Sequence, residues 1–416
     1  MNKISDWIVE SLLDTDFYKF TMGQFIFLKH PEVMVKFALK NRTIAVKLPS
    51  FIDIDELKRQ LDHVRDLSFT NTEIHYLRGT NEYQERMFCE KYLEFLKNLE
   101  LPPYDLTVGI DGQYQLEFSG KWKEVTYWEI YALEIINELY FRALTGSMSD
   151  FERDCLKAEG VKRLESKIIE LRKYPLLKFT DFGTRRRFGR DWQEYIVKSI
   201  SEELPGQFIG TSNTKLAEKL SLTPMGTSAH ELPMVASGIV DFSDNAAIRA
   251  SHNITLDAWW DLYGKGLSIA LPDTFGSEFF FDDFRKEQAI KWKGLRQDSG
   301  DPKKFGEKTV SFYENLGINP LEKMIVFSDG LKVPAMISLF LDFHKRINVS
   351  FGWGTNLTND LGLPALSLVI KAMMANSNPL VKLSDNIEKA MGPAEEIERF
   401  KKIFGYNNTF SEKCTY

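Results

Sequence analysis

The sequence predicts an α/β protein in which parallel strands form a sheet or barrel, joined to a second, smaller α/β domain. Beyond about residue 175, apolar runs alternate with helical patterns, which is typical of parallel strands joined by right-handed crossovers. These runs are nearly continuous, as in strands that are buried on both faces. Because 416 residues exceed what one hydrophobic core usually holds, we expect two domains. The predicted ranges are 1–125, with part of 365–416, for the smaller domain and 126–364 for the barrel-like one.

Each element is predicted from its local pattern. Short apolar runs indicate strands, and apolar residues at helical spacing, or segments rich in acids and bases, indicate helices. The predicted strands are 33–39, 114–118, 176–180, 207–209, 267–271, 323–327 and 347–351. The predicted helices are 53–66, 85–99, 191–202, 214–219, 244–262 and 333–344.

The longest apolar stretch, 127–144, is interrupted by Glu129, Glu134 and Glu138, so we expect an amphipathic helix there. No run of about 18 apolar residues occurs, and we therefore expect no membrane span. The first residues lack the apolar core of a signal peptide. Together these features favour a cytoplasmic protein.

Charge and cysteine usage narrow the function classes. The net charge of -6 argues against a general nucleic-acid binder, because such proteins concentrate positive charge. Cys89, Cys155 and Cys414 lie far apart and form no CxxC pair, so neither a zinc site nor a disulfide framework is predicted. This usage fits a reducing compartment.

Polar loops follow the strands of the second half. Their sequences are FTDFGTRRR, FIGTSNT, GTSAHE, LPDTFGS, GLRQDSGDP, FSDG and FGWGTN. Gly, Asp and Ser are ordinary turn residues, so one such loop would mean little. In parallel α/β folds, however, functional groups gather at the carboxyl ends of the strands. Seven loops of one character therefore predict a shared polar site.

Phosphate is the ligand that these loops suit. Backbone N–H groups of the glycine-rich segments 210–212, 226–228 and 352–355 are candidate phosphate donors. No Walker A motif occurs, and Leu357 stands where a dinucleotide fingerprint would need a third glycine. Several loops are therefore expected to hold the ligand jointly.

Arginines are expected to assist them. Arg185, Arg186 and Arg296 can add charge-assisted contacts to phosphate. The alternative for 185–187 is a solvated basic stretch.

Acids in the same loops have two possible roles. Asp273, Asp298, Asp301 and Asp329 can hold Mg²⁺ through water, or they can cap the helices that follow. We favour function for Asp298 and Asp329. For Asp301, which precedes Pro302, a cap is at least as well supported.

His230 stands between a glycine turn and an acid in GTSAHE. An imidazole can act as a base, a metal ligand or a nucleophile. A lone histidine is more often structural, but these neighbours favour a functional role. No second close histidine or paired cysteine predicts zinc. Glu231 is adjacent, but consecutive side chains usually diverge, so we do not assign it to orienting His230.

The motifs, taken in order, resemble those of nicotinate phosphoribosyltransferases. DTDFYKFTM, FTDFGTRRR, GTSN, GTSAHE, LRQDSGDP and FSDG carry this resemblance from residue 14 to about 360. It implies an irregular α/β barrel of the type II phosphoribosyltransferase kind with a second α/β domain. It also implies that nicotinate and 5-phosphoribosyl-1-pyrophosphate form nicotinate mononucleotide and pyrophosphate for NAD synthesis. Coupling to ATP hydrolysis, Mg²⁺ and a homodimer with sites at the subunit interface are implied as well.

The resemblance also implies roles for individual residues. Tyr18 resembles the tyrosine that covers the pyridine ring, from the partner subunit, and Phe182 resembles the opposite face. Arg185 and Arg296 look like contacts to phosphate or to the pyridine substituent, and His230 resembles the histidine that ATP phosphorylates.

The remaining roles concern the sugar, the metal and the phosphates. Asp298 and Asp329 resemble residues that touch the ribose hydroxyls or, indirectly, the metal. Gly352, Gly354 and Thr355 look like a cradle for the 5′-phosphate, whereas Thr211 is a substrate-binding candidate from its own glycine loop.

Substrate choice is predicted from one position. Related nicotinamide-using enzymes carry aspartate where this chain has Ser212, and an aspartate would repel a carboxylate. A neutral serine can donate to one, so nicotinate is favoured over nicotinamide.

Other functions stay open at this stage. They are a nicotinamide or quinolinate phosphoribosyltransferase, an inactive relative that only binds phosphometabolites, and an α/β-barrel lyase using Lys332 or Lys371. Joint presence of His230, Arg296 and Asp298 argues against the inactive relative.

Overall fold

The computed structural model describes residues 6–80 and 86–412, and these residues form two β-sheets. Their strands are β1 (Met34–Asn41), β2 (Tyr104–Val108), β3 (Tyr114–Lys121), β4 (Lys178–Asp181), β5 (Phe208–Thr211), β6 (Ile269–Ala270), β7 (Gly294–Gln297), β8 (Met324–Phe327), β9 (Asn348–Trp353), β10 (Leu368–Ala375) and β11 (Asn378–Pro379). Strands β4 to β9 make a six-stranded parallel sheet in the order β5-β4-β9-β8-β7-β6. The predicted α/β class with a parallel sheet is confirmed.

The second sheet is antiparallel and draws on both ends of the chain. Its order is β11-β10-β1-β3-β2, so that β1 lies between β3 and β10. The chain thus returns after the parallel sheet to complete the sheet with which it began. This topology is compatible with the predicted domain ranges, which remain a proposal.

Helices cover both sheets. They are α1 (Tyr18–Lys29), α2 (Ile54–Asp66), α3 (Asn71–Gly79), α4 (Glu90–Lys97), α5 (Trp122–Val125), α6 (Trp128–Gly146), α7 (Asp150–Arg172), α8 (Arg190–Glu203), α9 (Thr214–Leu220), α10 (Glu231–Ile239), α11 (Asn245–Tyr263), α12 (Ser277–Asp283), α13 (Lys286–Lys291), α14 (Pro302–Asn315), α15 (Val333–Phe343), α16 (Thr355–Thr358) and α17 (Ala394–Phe404). Asp53, Asp244 and Asp301 cap α2, α11 and α14 by accepting backbone N–H groups. Residue 85, within one predicted helix, lies outside the described residues.

Helix α6 forms as predicted, but it is buried rather than amphipathic. Glu129, Glu134 and Glu138 are exposed by only 1%, 0% and 8%. Cations make this burial possible: Lys19 lies 2.7 Å from Glu129, and Arg187 lies 3.1 Å from Glu134. The acids that seemed to mark a solvent face are therefore internal. Glu129 pairs with Lys19, whereas burial raises the pKa of Glu134 well above its ordinary value despite the charge of Arg187.

Two further expectations can be compared with the structure. None of the helices in 6–80 and 86–412 is long and apolar enough to cross a lipid bilayer. Cys89 and Cys155 are free thiols, and Cys414 lies outside the described residues.

Candidate active site

A polar cavity of about 270 Å³ lies at the carboxyl ends of the parallel strands. Because these strands run in one direction, the loops that follow them meet at one edge of the sheet. The predicted site residues that line the cavity are Tyr18, Phe182, Arg185, Ser212, His230, Arg296, Asp298, Asp329, Gly352, Gly354 and Thr355. The shared polar site expected from the loops thus exists as one cavity, to which we refer as the cleft.

Glycines allow a close approach at two aromatic residues of the cleft, at the ring of Phe182 and at the backbone of Tyr18. A Cβ on Gly352 would lie 2.3 Å from a ring carbon of Phe182, and a Cβ on Gly226 would lie 2.9 Å from the backbone nitrogen of Tyr18. Neither approach is possible with a side chain, so these glycines give Phe182 and Tyr18 their places. Gly352, expected to cradle phosphate, therefore has a clear packing role beneath Phe182.

The chain's own Tyr18 reaches the cleft. Its hydroxyl donates to Glu129 at 3.3 Å, and burial raises its pKa well above the ordinary value. Tyr18 thus lines the cleft of its own chain, and a tyrosine from a partner subunit over the pyridine ring stays a prediction.

His230 precedes α10 and is only 5% exposed. Its Nδ1 lies 2.9 Å from Thr274 Oγ1, whereas its Nε2 lies 3.0 Å from Asp298 Oδ2 and 2.9 Å from Lys382 Nζ. Burial, followed by the charge of Lys382, lowers the pKa of His230 to about 4. The imidazole is therefore neutral at pH 7, and one ring nitrogen keeps a free electron pair.

Glu231 fixes the first turn of the helix that follows His230. Its carboxylate accepts from Trp122 Nε1 at 2.6 Å, Thr126 Oγ1 at 2.6 Å and Lys19 Nζ at 2.7 Å. As expected from their sequence adjacency, Glu231 does not contact the imidazole itself. It holds the backbone from which His230 projects.

Arg296 and Asp298 line the cleft and form an ion pair with each other. The guanidinium donates to Ser328 Oγ, Thr227 Oγ1 and Asp298 Oδ1, each at 2.8 Å. Burial opposes ionisation of Asp298, but the charge of Arg296 and a hydrogen bond with His230 hold its pKa well below the ordinary value. Asp298 is thus a carboxylate, and the arginine has a fixed orientation.

The three arginines of FTDFGTRRR have different surroundings. Arg185 lines the cleft 3.7 Å from Glu129, and Arg186 also lines it. Arg187 is 1% exposed and pairs with Asp14 at 2.8 Å. The alternative of a solvated basic stretch is therefore wrong, and Arg187 is part of the protein interior.

Family models match most of the chain. The model of the nicotinate phosphoribosyltransferase family matches residues 177–408, and the model of the N-terminal domain of that family matches residues 13–137. This chain belongs to the nicotinate phosphoribosyltransferase family. The resemblance predicted from the motifs is thus confirmed.

Solved structures of the same family have the same fold. The nicotinate phosphoribosyltransferase of Porphyromonas gingivalis is 31% identical, with a TM-score of 0.85, covering 96% of this chain and 100% of that one. The nicotinate phosphoribosyltransferase of Vibrio cholerae is 29% identical, with a TM-score of 0.86, covering 98% of this chain and 96% of that one. The similarity therefore extends over nearly the full length of the chain.

Two expected substrate contacts have other partners in this family member. Thr211 is fully buried and does not line the cleft, and its hydroxyl donates to Asp181 at 2.8 Å, so the structure gives its substrate-binding prediction no support. Ser212 lines the cleft, but its single proton goes to Asp16 Oδ1 at 2.6 Å. The predicted donation from Ser212 to a nicotinate carboxylate is therefore not available in this arrangement.

Asp16 itself was missed, although it lies in the DTDFYKF motif. It is 4% exposed, it lines the cleft beside Ser212, and burial raises its pKa. No spacing rule distinguished it from its neighbour Asp14, which pairs with Arg187 instead.

Three lysines of the cleft were missed or undervalued. Lys382 contacts His230, Lys389 Nζ donates to Asp329 Oδ1 at 2.6 Å, and Lys371 Nζ donates to Glu129 Oε1 at 2.8 Å. Burial lowers the pKa of Lys371 to about 8. The one sequence feature that could have indicated burial is that Lys371 and Lys382 stand within apolar runs.

The residues whose ligand atoms lie close enough to share a metal ion are not the predicted pair Asp298 and Asp329. Ligand atoms of His230, Asp273 and Asp298 lie within 4.8 Å of one another. Asp329, expected beside the metal, instead directs one oxygen to Lys389. Asp273 Oδ1 is buried and has no hydrogen-bond partner among the described residues.

Proposed function

We propose that this family member joins nicotinate to 5-phosphoribosyl-1-pyrophosphate, and that ATP drives the reaction through a phosphohistidine at His230. The observation that carries this proposal is the setting of His230. It is neutral, its Nε2 faces the cleft's charged groups, and a cation lies 2.9 Å from that nitrogen. A histidine kept only for packing would not need Asp298 and Lys382 at the same ring nitrogen.

The transfer step needs little covalent work from the protein. The bond from ribosyl C1 to pyrophosphate breaks, pyrophosphate takes the electron pair, and the pyridine nitrogen forms the new bond to C1. Tyr18 and Phe182, which both line the cleft, would hold the flat pyridine ring and so restrict its approach to C1. Arg185, Lys382 and Lys389 supply positive charge for the anionic leaving group.

The phosphohistidine step needs the tautomer in which Nδ1 carries the proton and donates to Thr274 Oγ1, while Nε2 carries the free electron pair and accepts from Lys382. In that tautomer His230 donates no hydrogen bond to Asp298. The unprotonated ring nitrogen attacks the γ-phosphorus of ATP, an N–P bond forms, and ADP leaves with the electrons of the broken P–O bond. Water later cleaves the N–P bond and releases phosphate, which restores the imidazole. Lys382 is positioned to offset the negative charge that the phosphoryl group brings.

Mg²⁺ fits the acid cluster of the cleft. Asp273 and Asp298 would hold it, directly or through water, because oxygen ligands suit this ion and Asp273 Oδ1 accepts no hydrogen bond from the described residues. When bound, the ion would neutralise charge on phosphate oxygens. We also propose the homodimer and the cytoplasmic location that the family resemblance implies.

The deciding experiment measures nicotinate mononucleotide formation with and without ATP. His230→Ala is expected to abolish both stimulation by ATP and incorporation of labelled γ-phosphate, and His75→Ala, at an exposed histidine, should abolish neither. Undiminished ATP stimulation in His230→Ala would reject the phosphohistidine. Absence of product from the unmodified protein would reject the transferase activity.

A further inference from the structure

The residues 380–391, which we call the lysine segment, carry two cations into the cleft. Lys382 reaches His230, and Lys389 donates to Asp329 Oδ1 at 2.6 Å and to the backbone oxygen of Asp298 at 3.1 Å. Regular structure in this segment is limited to a bridge between Lys382 and Met391 and one short 3₁₀ turn. Such a segment needs outside contacts to keep its lysines in place.

One set of contacts comes from the loops of the parallel sheet. Asp385 N and Ser384 Oγ donate to Ser299 Oγ at 3.0 and 2.9 Å, and Asp385 accepts from the backbone nitrogen of Ser277 at 2.8 Å. Gly300 has φ +78°, and a Cβ there would lie 2.9 Å from the Cβ of Asp385. This side of the segment therefore fits closely against the barrel-like domain.

The other set comes from residues 406–412, which we call the C-terminal strap. Tyr406 Oη donates to the backbone oxygen of Ser384 at 2.7 Å, and Asn408 Nδ2 donates to that of Asp385 at 2.6 Å. In addition, the backbone oxygen of Phe410 in the strap accepts a hydrogen bond from Ile387 N at 3.1 Å. Strap and segment are thus joined repeatedly between the two lysines.

Asn386, in the lysine segment, makes the last hydrogen bonds between the segment and the strap. Its amide donates to the backbone oxygen of Glu412 at 2.7 Å and accepts from the nitrogen of Glu412 at 3.1 Å. Asn386 is 4% exposed, so these bonds are shielded from water. The strap therefore restrains the segment from Ser384 to Asn386, midway between Lys382 and Lys389.

We propose that the C-terminal strap positions Lys382 and Lys389 for a pyrophosphate-type anion, with Tyr406, Asn408 and Asn386 as positioning residues. They touch no reacting atom and act only through the two lysines. The inference rests on the proposed function for the identity of the natural anion. The restraint of the lysines does not depend on which pyridine is used.

The test compares Asn408→Ala and Tyr406→Phe with the control Asn407→Ala. Asn407 is exposed and makes no hydrogen bond to another described residue, so the control matches in residue type and position. Tyr406→Phe keeps the ring against Gly276 and removes only the hydroxyl group. Calorimetric titration with inorganic pyrophosphate measures the anion site without turnover, and thermal unfolding confirms that each variant is folded.

Tyr406→Phe should bind pyrophosphate about fivefold more weakly, the usual effect of one lost hydrogen bond. Asn408→Ala should weaken binding at least as much, because it also removes the bond that Asn408 Oδ1 accepts from Phe410 N at 2.9 Å. The Michaelis constant for 5-phosphoribosyl-1-pyrophosphate should rise in parallel, and that for nicotinate should stay unchanged. Equal pyrophosphate affinity in all folded variants, or no binding by the unmodified protein, would overturn the proposal. If affinity falls as expected but no nicotinate mononucleotide forms, the strap is supported and the proposed function fails separately.

Discussion

In the cleft, one or two neighbouring groups determine the protonation state or the hydrogen bonding of each residue. Burial and Lys382 keep His230 neutral, whereas Arg296 keeps Asp298 ionised. Ser212 gives its proton to Asp16, so a substrate carboxylate would need a cation such as Arg185 rather than the serine. The type of a residue therefore did not predict its hydrogen-bond partner. The sequence correctly predicted Ser212 as a cleft residue, but only the structure shows which group accepts its proton.

Ser212→Asp tests the revised role of this position. A second carboxylate would stand beside Asp16, and like charges in a desolvated contact cost several kcal/mol. The Michaelis constant for nicotinate should rise roughly tenfold or more, with little change for 5-phosphoribosyl-1-pyrophosphate. Steady-state rates with nicotinate, nicotinamide and quinolinate provide the measurement, and Ser212→Ala serves as the neutral control. Equal impairment for both substrates would contradict this selectivity role.

Asp181 predicts a pH dependence of stability. Burial raises its pKa to about 6, against hydrogen bonds from Thr211, Gly183 and Gln193. Because the native state then holds a proton that the unfolded state releases near pH 4, this contribution is largest below pH 4. It is lost as the pH rises to 6, which amounts to roughly 1–3 kcal/mol.

Urea unfolding of the unmodified protein and of Asp181→Asn, between pH 4 and 7, checks this expectation. The difference in unfolding free energy, unmodified minus variant, should decrease with rising pH. A difference that stays constant over that range would show that Asp181 titrates normally.

At the scale of elements, short connections place the cleft residues. His230 depends on the start of α10, which Glu231 anchors, and Phe182 depends on the end of β9, where Gly352 leaves space for its ring. Strand and helix positions followed from periodicity, since β8 and α15 formed within one residue of prediction. Strand β7 was not predicted, because Arg296 and Gln297 interrupt its apolar pattern.

Gly352→Ala should impair pyridine binding. The added Cβ would meet the Phe182 ring at 2.3 Å, so the ring must move away from its place in the cleft. We expect the Michaelis constant for nicotinate to rise about tenfold, because small displacements of positioning groups have large effects. Gly206→Ala is the control, since a Cβ there meets nothing within 4 Å. An unchanged nicotinate constant in Gly352→Ala would show that Phe182 does not hold the ring.

At the scale of the whole molecule, the described residues form two hydrophobic clusters, and the larger one joins the two sheets. It includes Phe37 and Phe118 of the antiparallel sheet as well as Phe327 and Phe351 of the parallel sheet. Strand β10 returns to pair with β1, so neither sheet is built from one continuous stretch of chain. Sequence patterns describe neighbours along the chain, and for that reason they did not place Lys371, Lys382 or Lys389 in the cleft.

This shared core predicts that both sheets unfold together. Tryptophan fluorescence and far-ultraviolet circular dichroism should report the same urea midpoint, since the larger apolar cluster contains residues of both sheets. The Trp292→Phe variant tests whether one local probe dominates the fluorescence signal. Two separated transitions would indicate domains that unfold independently.

Pairing of β1 with β10 has a consequence for the newly made polypeptide. More than 300 residues separate Asn41 from Leu368, so a ribosome needs roughly 15–65 s to deliver the second strand after the first. Throughout that interval one edge of the N-terminal sheet offers unsatisfied N–H and C=O groups to any other chain nearby. The nascent protein is therefore most prone to aggregation before translation reaches the final strands. A chaperone that binds nascent chains would protect it best by covering β1.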